Sequence, residues 1–465
     1  MTENLGAFRL GDIRGIYPDE INEAFALSFA HAFVHHFNLK GRIATGRDMR
    51  NSSMALQSTI NQGLKESGIT VLDLGLCATE LGYFASTRSH IEAVIIITAS
   101  HNPDRYNGFK CVLRHGVAVT FDSGLREVKA LMKHNHRNKV KNGSVISADL
   151  LSEYIEFMKT KFTSESLRSG NIALNGLNGT AMTLAENLSE EFSLSTSWFR
   201  GNPGPIPKDG ADPTGPKMIA EMQEYMRLED FSLGVAWDGD CDRCVFFTRD
   251  GKLVPAYYVI GIMIEHFLSQ HHGGSVVLDT KLCWNTLDII SQYEGKSVKS
   301  KTGHAFMKYH MRKSKAVYGG ELAAHHYFQD FFGCDSGMFA WLKMVNIIGA
   351  SGIQFEDLIQ KHRENVCCTS EISLSIPNMN PAFSKILSLY ESSAVNINYF
   401  DGLSLEMSNN WRFSLRQSKT EPLIRVNFES RGRPEQLLSD SAEVLTVLQT
   451  FAEDEYDWAH DLAIQ

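Results

Sequence analysis

Residues 93–110 read AVIIITASHNPDRYNGFK, a continuous apolar run followed at once by a polar segment. Unbroken runs of β-branched residues are typical of strands that are buried on both faces of a parallel sheet. Ser100 would then follow the carboxyl end of such a strand, where ligands bind in open α/β folds. With His101 beside it, this serine can act as a nucleophile or phosphate carrier, and Lys110 can supply a charge or a proton. The alternative is a polar turn that only caps the next element.

Strand-like and helix-like segments alternate on both sides of this stretch, which indicates repeated strand–helix–strand units and an α/β fold. The C-terminal part differs and predicts a smaller α+β unit. The Gly- and Pro-rich residues 200–216 lie inside one repeat and are expected to form a long surface loop. The predicted strands cover residues 42–45, 70–74, 93–98, 171–174, 195–198, 231–236, 275–279, 297–300, 316–318, 371–376, 396–400, 411–415 and 424–429, and the predicted helices cover residues 52–67, 79–89, 148–161, 180–190, 216–227, 257–268, 284–293, 304–313, 336–349, 381–389 and 434–451.

The chain has 465 residues, and at about 150 residues per domain this suggests three domains. Its formal net charge of −9 argues against binding to a nucleic-acid backbone, but a local cationic cluster could still bind a small anion. No apolar run follows a charged N-terminal start, and none approaches the roughly 18 residues that cross a bilayer, so a cytoplasmic protein without membrane contact is expected. The scattered cysteines, with Cys241 and Cys244 as a lone C-x-x-C, favour reduced thiols over a zinc site.

A second polar motif, DGDCDR at residues 238–243, also follows an apolar strand. Its three carboxylates, Asp238, Asp240 and Asp242, repel one another and need a cation, and hard oxygen ligands suit Mg²⁺ or Ca²⁺. The spacing does not fit an EF-hand loop, which needs glycine where Arg243 stands. Because Mg²⁺ commonly keeps an oxygen of a substrate phosphate among its ligands, the motif points to phosphoryl transfer. A solvated acidic turn is the alternative.

The third motif is GGELAAHHYF at residues 319–328. Glu321 can accept hydrogen bonds from sugar hydroxyls, and the adjacent His325 and His326 can donate or exchange protons near neutral pH. These residue types would suit a site for a carbohydrate. The alternative is a pair of histidines with a purely structural role in a loop.

The fourth motif is RQSKTEP at residues 416–422. Arg416, Ser418, Lys419 and Thr420 place charged and neutral hydrogen-bond donors within a short segment, which is typical of a cradle for an anion. This motif supplies the local positive charge that the net charge of the chain conceals. A solvated basic turn is the alternative.

Together the four motifs resemble those of the α-D-phosphohexomutase superfamily, in the same order and spacing. FRLGDIRG at residues 8–15 is similar to the opening motif of that superfamily, and the resemblance extends over essentially the whole chain. The third motif and residues 334–338 are most similar to the bacterial phosphomannomutases of the superfamily, which supply GDP-mannose synthesis. The resemblance implies four domains around a central cleft, three doubly wound α/β domains with mixed sheets and a C-terminal α+β domain. They would be residues 1–148 with a phosphoserine loop, 149–253 with a metal-binding loop, 254–366 with a sugar-binding loop and 367–465 with a phosphate-binding loop.

The resemblance also implies roles for single residues. Ser100 would carry a phosphoryl group in the resting enzyme, and Asp238, Asp240 and Asp242 would hold Mg²⁺ together with that group. The remaining roles would be catalysis around Ser100 by Arg14, His101, Lys110 and Arg243, contact with the sugar by Lys281, His304, Glu321 and His325, and a grip on the phosphate that is not reacting by Arg416, Ser418, Lys419 and Thr420.

In the implied reaction, phosphoserine gives its phosphoryl group to the free hydroxyl of a sugar monophosphate. The resulting hexose 1,6-bisphosphate turns over in the cleft and returns its other phosphate to Ser100. Mannose 6-phosphate and mannose 1-phosphate are the expected small-molecule substrates, a hexose 1,6-bisphosphate is the expected activator, and a monomer or homodimer is the expected form. The alternatives are glucose or glucosamine phosphates as substrates, a sugar-phosphate-binding paralogue with weak turnover, and a hydrolase.

Two positions depart from the pattern of the superfamily. Gly11 stands where the opening motif usually has an aromatic residue, and Ala323 stands where most members have serine. The second change would remove a neutral hydrogen bond to the sugar, worth about 0.5–1.5 kcal/mol. Weakened or altered sugar binding without loss of the chemistry is therefore expected.

Overall fold

The computed structural model describes residues 5–134, 143–418, 423–453, 457–458 and 462–465. Several mixed sheets with flanking helices confirm the α/β class. Among the described helices, none combines the length and the apolar character needed to span a membrane. The chain forms two compact units, the first made of Met1–Leu253, Gly303–Gly319 and Ala323–Phe355, the second of Val254–Thr302, Gly320–Leu322 and Glu356–Gln465.

The N-terminal region forms a seven-stranded mixed sheet. Its strands are β1 (Ile13–Ile16), β2 (Arg42–Arg47), β3 (Thr70–Leu76), β4 (Ile91–Ile97), β5 (Tyr106–Leu113), β6 (Val117–Ala118) and β7 (Ser144–Ser147), and its helices are α1 (Glu23–Phe37), α2 (Ser53–Glu66), α3 (Thr79–Ala85) and α4 (Leu125–Lys133). The order is β1-β5-β4-β2-β3-β7, with β6 beside β5. Strand β4 runs parallel to β2, so Ser100 does follow the carboxyl end of a buried parallel strand, as predicted.

Helix α1 is absent from the sequence-based prediction because it has no polar face that would reveal a helical period. Its Phe25, Phe29 and Phe33 are buried in the core, and the ring centroid of Phe29 lies 5.2 Å from that of Phe109 on β5. Successive side chains of a strand point to opposite faces. Packing of Phe109 against α1 therefore directs the next residue, Lys110, to the other face of β5.

The second region carries the DGDCDR turn. It contains α5 (Leu151–Lys159), β8 (Ile172–Asn175), α6 (Met182–Glu191), β9 (Thr196–Phe199), α7 (Pro216–Met226), β10 (Leu233–Trp237), β11 (Cys244–Phe247) and β12 (Leu253–Val254). Strand β10 is fully buried, runs parallel to β8 and antiparallel to β11, so residues 238–243 form the connection between β10 and β11. The three aspartates thus stand at the carboxyl end of a parallel strand, like Ser100.

The third region contributes to both units. Its elements are α8 (Ala256–Gln270), β13 (Ser275–Leu278), α9 (Trp284–Gln292), β14 (Lys296–Lys299), α10 (His304–Ser314), β15 (Tyr318–Glu321), β16 (His325–Phe328), β17 (Cys334–Asp335), α11 (Gly337–Ser351) and α12 (Phe355–Asn365). The assignment of His325 and His326 to a loop is wrong, since both lie in β16, which pairs antiparallel with β17. All four residues of β16 are buried, so the strand lacks the alternation that would reveal it in the sequence.

The C-terminal region is an α+β unit, as predicted. Its six-stranded antiparallel sheet has the order β18-β23-β22-β21-β20, with β19 beside β23. Trp411, Phe413 and Phe428 lie in its core. The elements are β18 (Cys367–Cys368), β19 (Ile372–Ser375), α13 (Met379–Tyr390), β20 (Ala394–Asn398), β21 (Leu403–Met407), β22 (Trp411–Gln417), β23 (Leu423–Ser430) and α14 (Pro434–Gln449).

Candidate active site

Ser100 is held in an unusual backbone conformation just beyond β4. Its φ of +52° lies in the left-handed region, which costs a non-glycine residue about 1–3 kcal/mol. The guanidinium of Arg50 donates to the carbonyl oxygen of Ser100 at 2.8 Å and to that of Asn102 at 2.7 Å, and it is paired with the buried Asp48 at 3.0 Å. The sequence analysis did not identify Arg50 or Asp48. The one feature of the sequence that could have pointed to Arg50 and Asp48 is that they follow the end of β2, at the same sheet edge as Ser100.

The three aspartates of the DGDCDR turn lie close together. One carboxylate oxygen from each of Asp238, Asp240 and Asp242 lies within 4.8 Å of the others, and all three residues are fully buried. The Ser100 hydroxyl donates to Oδ2 of Asp238 at 2.6 Å. The serine oxygen and the carboxylates therefore form one cluster of hard oxygen ligands.

Lys110 reaches the same cluster from β5. Its Nζ donates to Oδ2 of Asp240 at 2.7 Å and to Oδ2 of Asp242. Burial alone would lower the pKa of Lys110, but the two carboxylates raise it above its ordinary value, so the lysine is protonated. Burial would raise the pKa of Asp240, yet Lys110 and a hydrogen bond from Thr79 hold it below its usual range.

The cluster fits a divalent cation. Burial, followed by repulsion from Asp242 and Asp240, raises the pKa of Asp238 to about 7. Within the described residues, Oδ1 of Asp240 and Oδ1 of Asp242 have no hydrogen-bond partner. Because buried carboxylate oxygens without partners are costly and Mg²⁺ prefers such ligands, these residues and the Ser100 oxygen are suited to hold Mg²⁺.

Arg14 and His101 flank the serine. Arg14 donates from Nη1 to the side chain of Asn102 and from Nη2 to that of Asp12, at 2.7 Å in both cases. Nδ1 of His101 lies 3.1 Å from the Ser100 hydroxyl. Burial, followed by the nearby cations Arg243 and Arg14, lowers the pKa of His101 well below its ordinary value. Near neutral pH, His101 is therefore an uncharged hydrogen-bonding partner of Ser100.

His325 and Arg243 meet beside the cluster. Nε of Arg243 donates to Nε2 of His325 at 3.2 Å, and Nδ1 of His325 lies 3.2 Å from Oδ2 of Asp335. The buried Lys308 pairs with the other oxygen of Asp335 at 2.8 Å and lies 3.4 Å from Nδ1 of His304. The sequence analysis gave Asp335 no role, although it lies within the family-like residues 334–338, and it did not identify Lys308, because that isolated residue of α10 belongs to no motif.

The Gly- and Pro-rich residues 200–216 contain no helix or strand before α7, as predicted, but part of this loop is buried. Ala211 is fully buried, and Ile206 packs with it. Gly210 has a φ of +108°, and a side chain there would start 2.2 Å from the carbonyl oxygen of His101. The loop is thus not wholly at the surface, because it packs against the segment that carries Ser100.

Four further predicted residues that the structure describes belong to the second unit: Lys281, Glu321, Arg416 and Ser418. Nζ of Lys281 is 3.7 Å from Oδ2 of Asp279. Burial raises the pKa of Asp279 to about 6, although the charge of Lys281 lowers it; the charge of Glu321 adds to the rise. Arg416 also lowers that pKa, and it is buried on β22. Ser418 is buried just beyond the end of β22. Lys419 and Thr420 lie outside the described residues.

Models of the phosphoglucomutase/phosphomannomutase family match three parts of the chain. The alpha/beta/alpha domain I matches residues 6–139, domain II matches residues 152–251 and domain III matches residues 255–366. A phosphomannomutase of Escherichia coli is 34% identical over 459 residues, which cover 97% of this chain and 100% of that protein. A protein named phosphohexose mutases, from Xanthomonas campestris pv. campestris, is 33% identical over 450 residues, 96% of this chain and 99% of its own length.

A solved structure shows the same fold. The crystal structure of a phosphoglucomutase/phosphomannomutase family protein from Burkholderia thailandensis superposes with a TM-score of 0.83. The two sequences are 24% identical, and the match covers 96% of this chain and 97% of that one. The similarity therefore extends beyond residue 366, where the three family models end.

Proposed function

Because this chain belongs to the phosphoglucomutase/phosphomannomutase family and is a phosphohexomutase, we propose that it interconverts mannose 6-phosphate and mannose 1-phosphate. One observation carries the phosphoryl-transfer part of the proposal: the Ser100 hydroxyl lies 2.6 Å from Oδ2 of Asp238, in a carboxylate cluster that also binds the protonated Lys110. The choice of mannose is supported by the relatives named phosphomannomutase. A serine between a cation site and a lysine is suited to carry a phosphoryl group, since both offset its charge. The product, mannose 1-phosphate, would enter GDP-mannose synthesis.

The transfer from phosphoserine to the sugar exchanges one phosphoester for another. The bond between Ser100 Oγ and phosphorus breaks, a bond from phosphorus to the sugar hydroxyl oxygen forms, and the hydroxyl proton ends on Ser100 Oγ. Mg²⁺ bound by Asp238, Asp240 and Asp242 would offset negative charge on the transferred group. Lys110 adds a fixed positive charge at the same carboxylates.

The intermediate of the proposed reaction is a hexose 1,6-bisphosphate, which would also activate an enzyme that has lost its phosphate. After it has turned over, its other phosphate returns to Ser100 and the second monophosphate is released. Arg14, His101 and Arg243 are proposed to assist at the serine. The proposed contacts to the sugar are Lys281, His304, Glu321 and His325, and those to the distal phosphate are Arg416, Ser418, Lys419 and Thr420.

The carrier role of Ser100 is tested by intact-mass measurement after incubation with hexose 1,6-bisphosphate. We expect the mass of one phosphoryl group on the wild type and none on Ser100→Ala. Ser123→Ala, which removes an exposed hydroxyl in a turn of the same domain, is the matched control and should still be phosphorylated. Phosphorylation of Ser100→Ala, or an unmodified wild type, would contradict the proposed mechanism.

A broader hexose preference is the second candidate. The Xanthomonas relative is named phosphohexose mutases, and Ala323 departs from the serine that most members carry. Comparison of kcat/KM for the 6-phosphates of mannose, glucose and glucosamine separates the two. The mannose-specific proposal requires the highest kcat/KM on mannose 6-phosphate, and equal values for mannose and glucose would favour the second candidate.

A further inference from the structure

The second unit contains a buried ion pair that is not among the residues proposed to act at Ser100. Arg412 on β22 stands opposite Glu429 on β23 in the antiparallel register, and Nη1 of Arg412 lies 2.6 Å from Oε1 of Glu429. Both side chains are almost completely inaccessible. A buried ion pair is weak evidence for stability, because the cost of removing both charges from water offsets their attraction. Most of the other hydrogen bonds of Arg412 and Glu429 go to the backbone of residues 280–284 and indicate a further role for the pair.

The first set of contacts goes to the backbone of Lys281. Arg412 donates to the carbonyl oxygen of Lys281 at 2.8 Å and to that of Thr280 at 2.6 Å. The hydroxyl of Ser414 donates to the same Lys281 carbonyl at 2.9 Å. Two strand residues thus hold the main chain from which the lysine side chain projects.

The second set of contacts holds the residues that follow. Glu429 accepts from the backbone N–H of Cys283 at 3.0 Å and from that of Trp284 at 2.9 Å, at the beginning of α9. The hydroxyl of Tyr257 also donates to Glu429, and it accepts from the backbone N–H of Asn285 at 2.8 Å. The segment from Thr280 to Asn285 is therefore hydrogen-bonded on both sides of Lys281.

The same strand carries a predicted phosphate ligand. Arg412, Ser414 and Arg416 occupy alternate positions of β22, so their side chains leave the same face. Arg416 is 9% exposed, and its Nε has no hydrogen-bond partner among the described residues. The hydrogen bonds that hold the Lys281 backbone against Arg412 and Ser414 therefore also fix the position of that backbone relative to Arg416.

We propose that Arg412, Ser414 and Glu429 are positioning residues that fix Lys281 relative to Arg416, so that a cationic grip for a sugar phosphate is assembled before the substrate binds. This inference rests on the proposed function, which makes Lys281 and Arg416 ligands of the substrate. Assembly in advance removes the entropy cost of ordering the segment from the binding step. Loss of one of these positioning residues should then weaken substrate binding more than it slows the chemical step.

The test compares Ser414→Ala with Ser430→Ala. Ser414 and Ser430 are both buried residues of the C-terminal sheet whose hydroxyls donate to a backbone carbonyl, but Ser430 donates to that of Asn410, at 3.1 Å, and not to that of Lys281. For Ser414→Ala we expect KM for mannose 6-phosphate to rise about threefold to tenfold with kcat nearly unchanged. Amide hydrogen exchange should also accelerate in peptides that cover residues 280–285. Ser430→Ala should alter neither quantity.

Arg412→Gln should raise KM and accelerate amide exchange in residues 280–285 more strongly than Ser414→Ala does. Arg412→Lys, which keeps the positive charge, should change both quantities less than Arg412→Gln. Should Arg412→Gln fail to fold, Ser414→Ala decides alone. Equal KM values and equal exchange rates in the two serine variants would overturn the inference. If the wild type turned over none of the hexose phosphates, the proposed function would fail, and calorimetric affinity for mannose 6-phosphate would replace KM. Equal affinity of both serine variants would then overturn the positioning role, and weaker binding by Ser414→Ala alone would support it.

Discussion

Ser100 adopts a left-handed backbone conformation that serine does not favour, and Arg50 stabilises it. The Arg50 guanidinium donates to the carbonyls of Ser100, Asn102, Pro103 and Tyr106 and pairs with Asp48. These bonds satisfy carbonyl groups that the irregular turn leaves without strand partners. The conformation of Ser100 is thus imposed by a residue from another strand end, and no local signal in the segment after β4 encodes it.

Glu80 is a second residue whose behaviour depends on distant partners. It is fully buried on α3, accepts hydrogen bonds from Ser336 and the backbone of Met338 at 3.0 Å, and also accepts from Tyr154. Burial is the largest effect and raises the pKa of Glu80 from 4.5 to about 7, with a smaller contribution from the charge of Asp335. Glu80 thereby joins α3 to the beginning of α11.

We predict that Glu80→Gln alters the pH dependence of stability. Between pH 4.5 and about 7 the folded state holds a proton on Glu80 that the unfolded state has lost, so the free energy of unfolding falls as pH rises through this window. Across this window the free energy of unfolding should fall by on the order of 3 kcal/mol more in the wild type than in the variant. Urea unfolding at several pH values measures it.

The matched control for this prediction is Glu156→Gln on α5, which changes a carboxylate that is 69% exposed. It should unfold with the pH dependence of the wild type. Parallel curves for the wild type and Glu80→Gln across the window would show that Glu80 is ionised in the folded state at all these pH values.

Helix α3 also supports the aspartate turn. Thr79, the first residue of α3, donates from its hydroxyl to Oδ2 of Asp240 at 2.6 Å and from its backbone N–H to the Asp240 carbonyl at 3.0 Å. The Thr79 hydroxyl thus contacts Asp240, a candidate ligand of the metal ion, and is not itself one of the candidate ligands. Such contacts orient the ligand and tune affinity for the ion.

We predict that Thr79→Val weakens Mg²⁺ binding about tenfold, because valine keeps the shape of threonine but cannot orient the Asp240 carboxylate. Calorimetric titration with Mg²⁺ measures the affinity. Thr87→Val is the control, since that hydroxyl donates to the Phe84 carbonyl just beyond the other end of α3, at 2.7 Å. Unchanged affinity in Thr79→Val would remove Thr79 from the support of the metal site.

The candidate residues are divided between the two compact units. Ser100, the three aspartates and Lys110 belong to the first unit, together with His304 and His325. Lys281, Glu321 and Arg416 belong to the second. The predicted sugar-binding residues of the third region are therefore divided, although a single stretch of sequence, residues 319–328, contains both Glu321 and His325.

We predict that Mg²⁺ stabilises the whole chain against thermal unfolding. An ion that binds only the folded state adds about 2.7 kcal/mol when its concentration is a hundredfold above Kd. The midpoint of unfolding should therefore rise when Mg²⁺ replaces a chelator, and the rise should be lost in Asp240→Asn. Differential scanning calorimetry measures both midpoints.

Asp250→Asn is the control for the stabilisation by Mg²⁺. Asp250 lies in the turn after β11, its side chain is 55% exposed, and it pairs with Lys252 at 2.7 Å. This variant should keep the full response to Mg²⁺. An equal rise of the midpoint in Asp240→Asn would contradict the assignment of the metal site to the DGDCDR turn.

The sequence alone was enough for the α/β class and for most strands and helices, because apolar periodicity and Gly or Pro boundaries are local properties. The cluster of Asp238, Asp240 and Asp242 could also be predicted, since all three lie in one short turn after a buried strand. Helix α1 and strand β16 could not, because α1 is largely buried and apolar and all four residues of β16 are buried, so neither shows a clear alternation of polar and apolar residues.

The distant residues that support the site could be identified only from the packing of the folded chain. Arg50 and Thr79 contact the Ser100 and Asp240 segments from other elements, and Arg412 with Glu429 holds Lys281 from strands that follow it by more than a hundred residues in the sequence. None of these residues belongs to a motif. Their contribution is a hydrogen bond to a backbone or carboxylate group brought near by folding, and the partner of such a bond is set by the packing of the strands and helices, which local sequence does not encode.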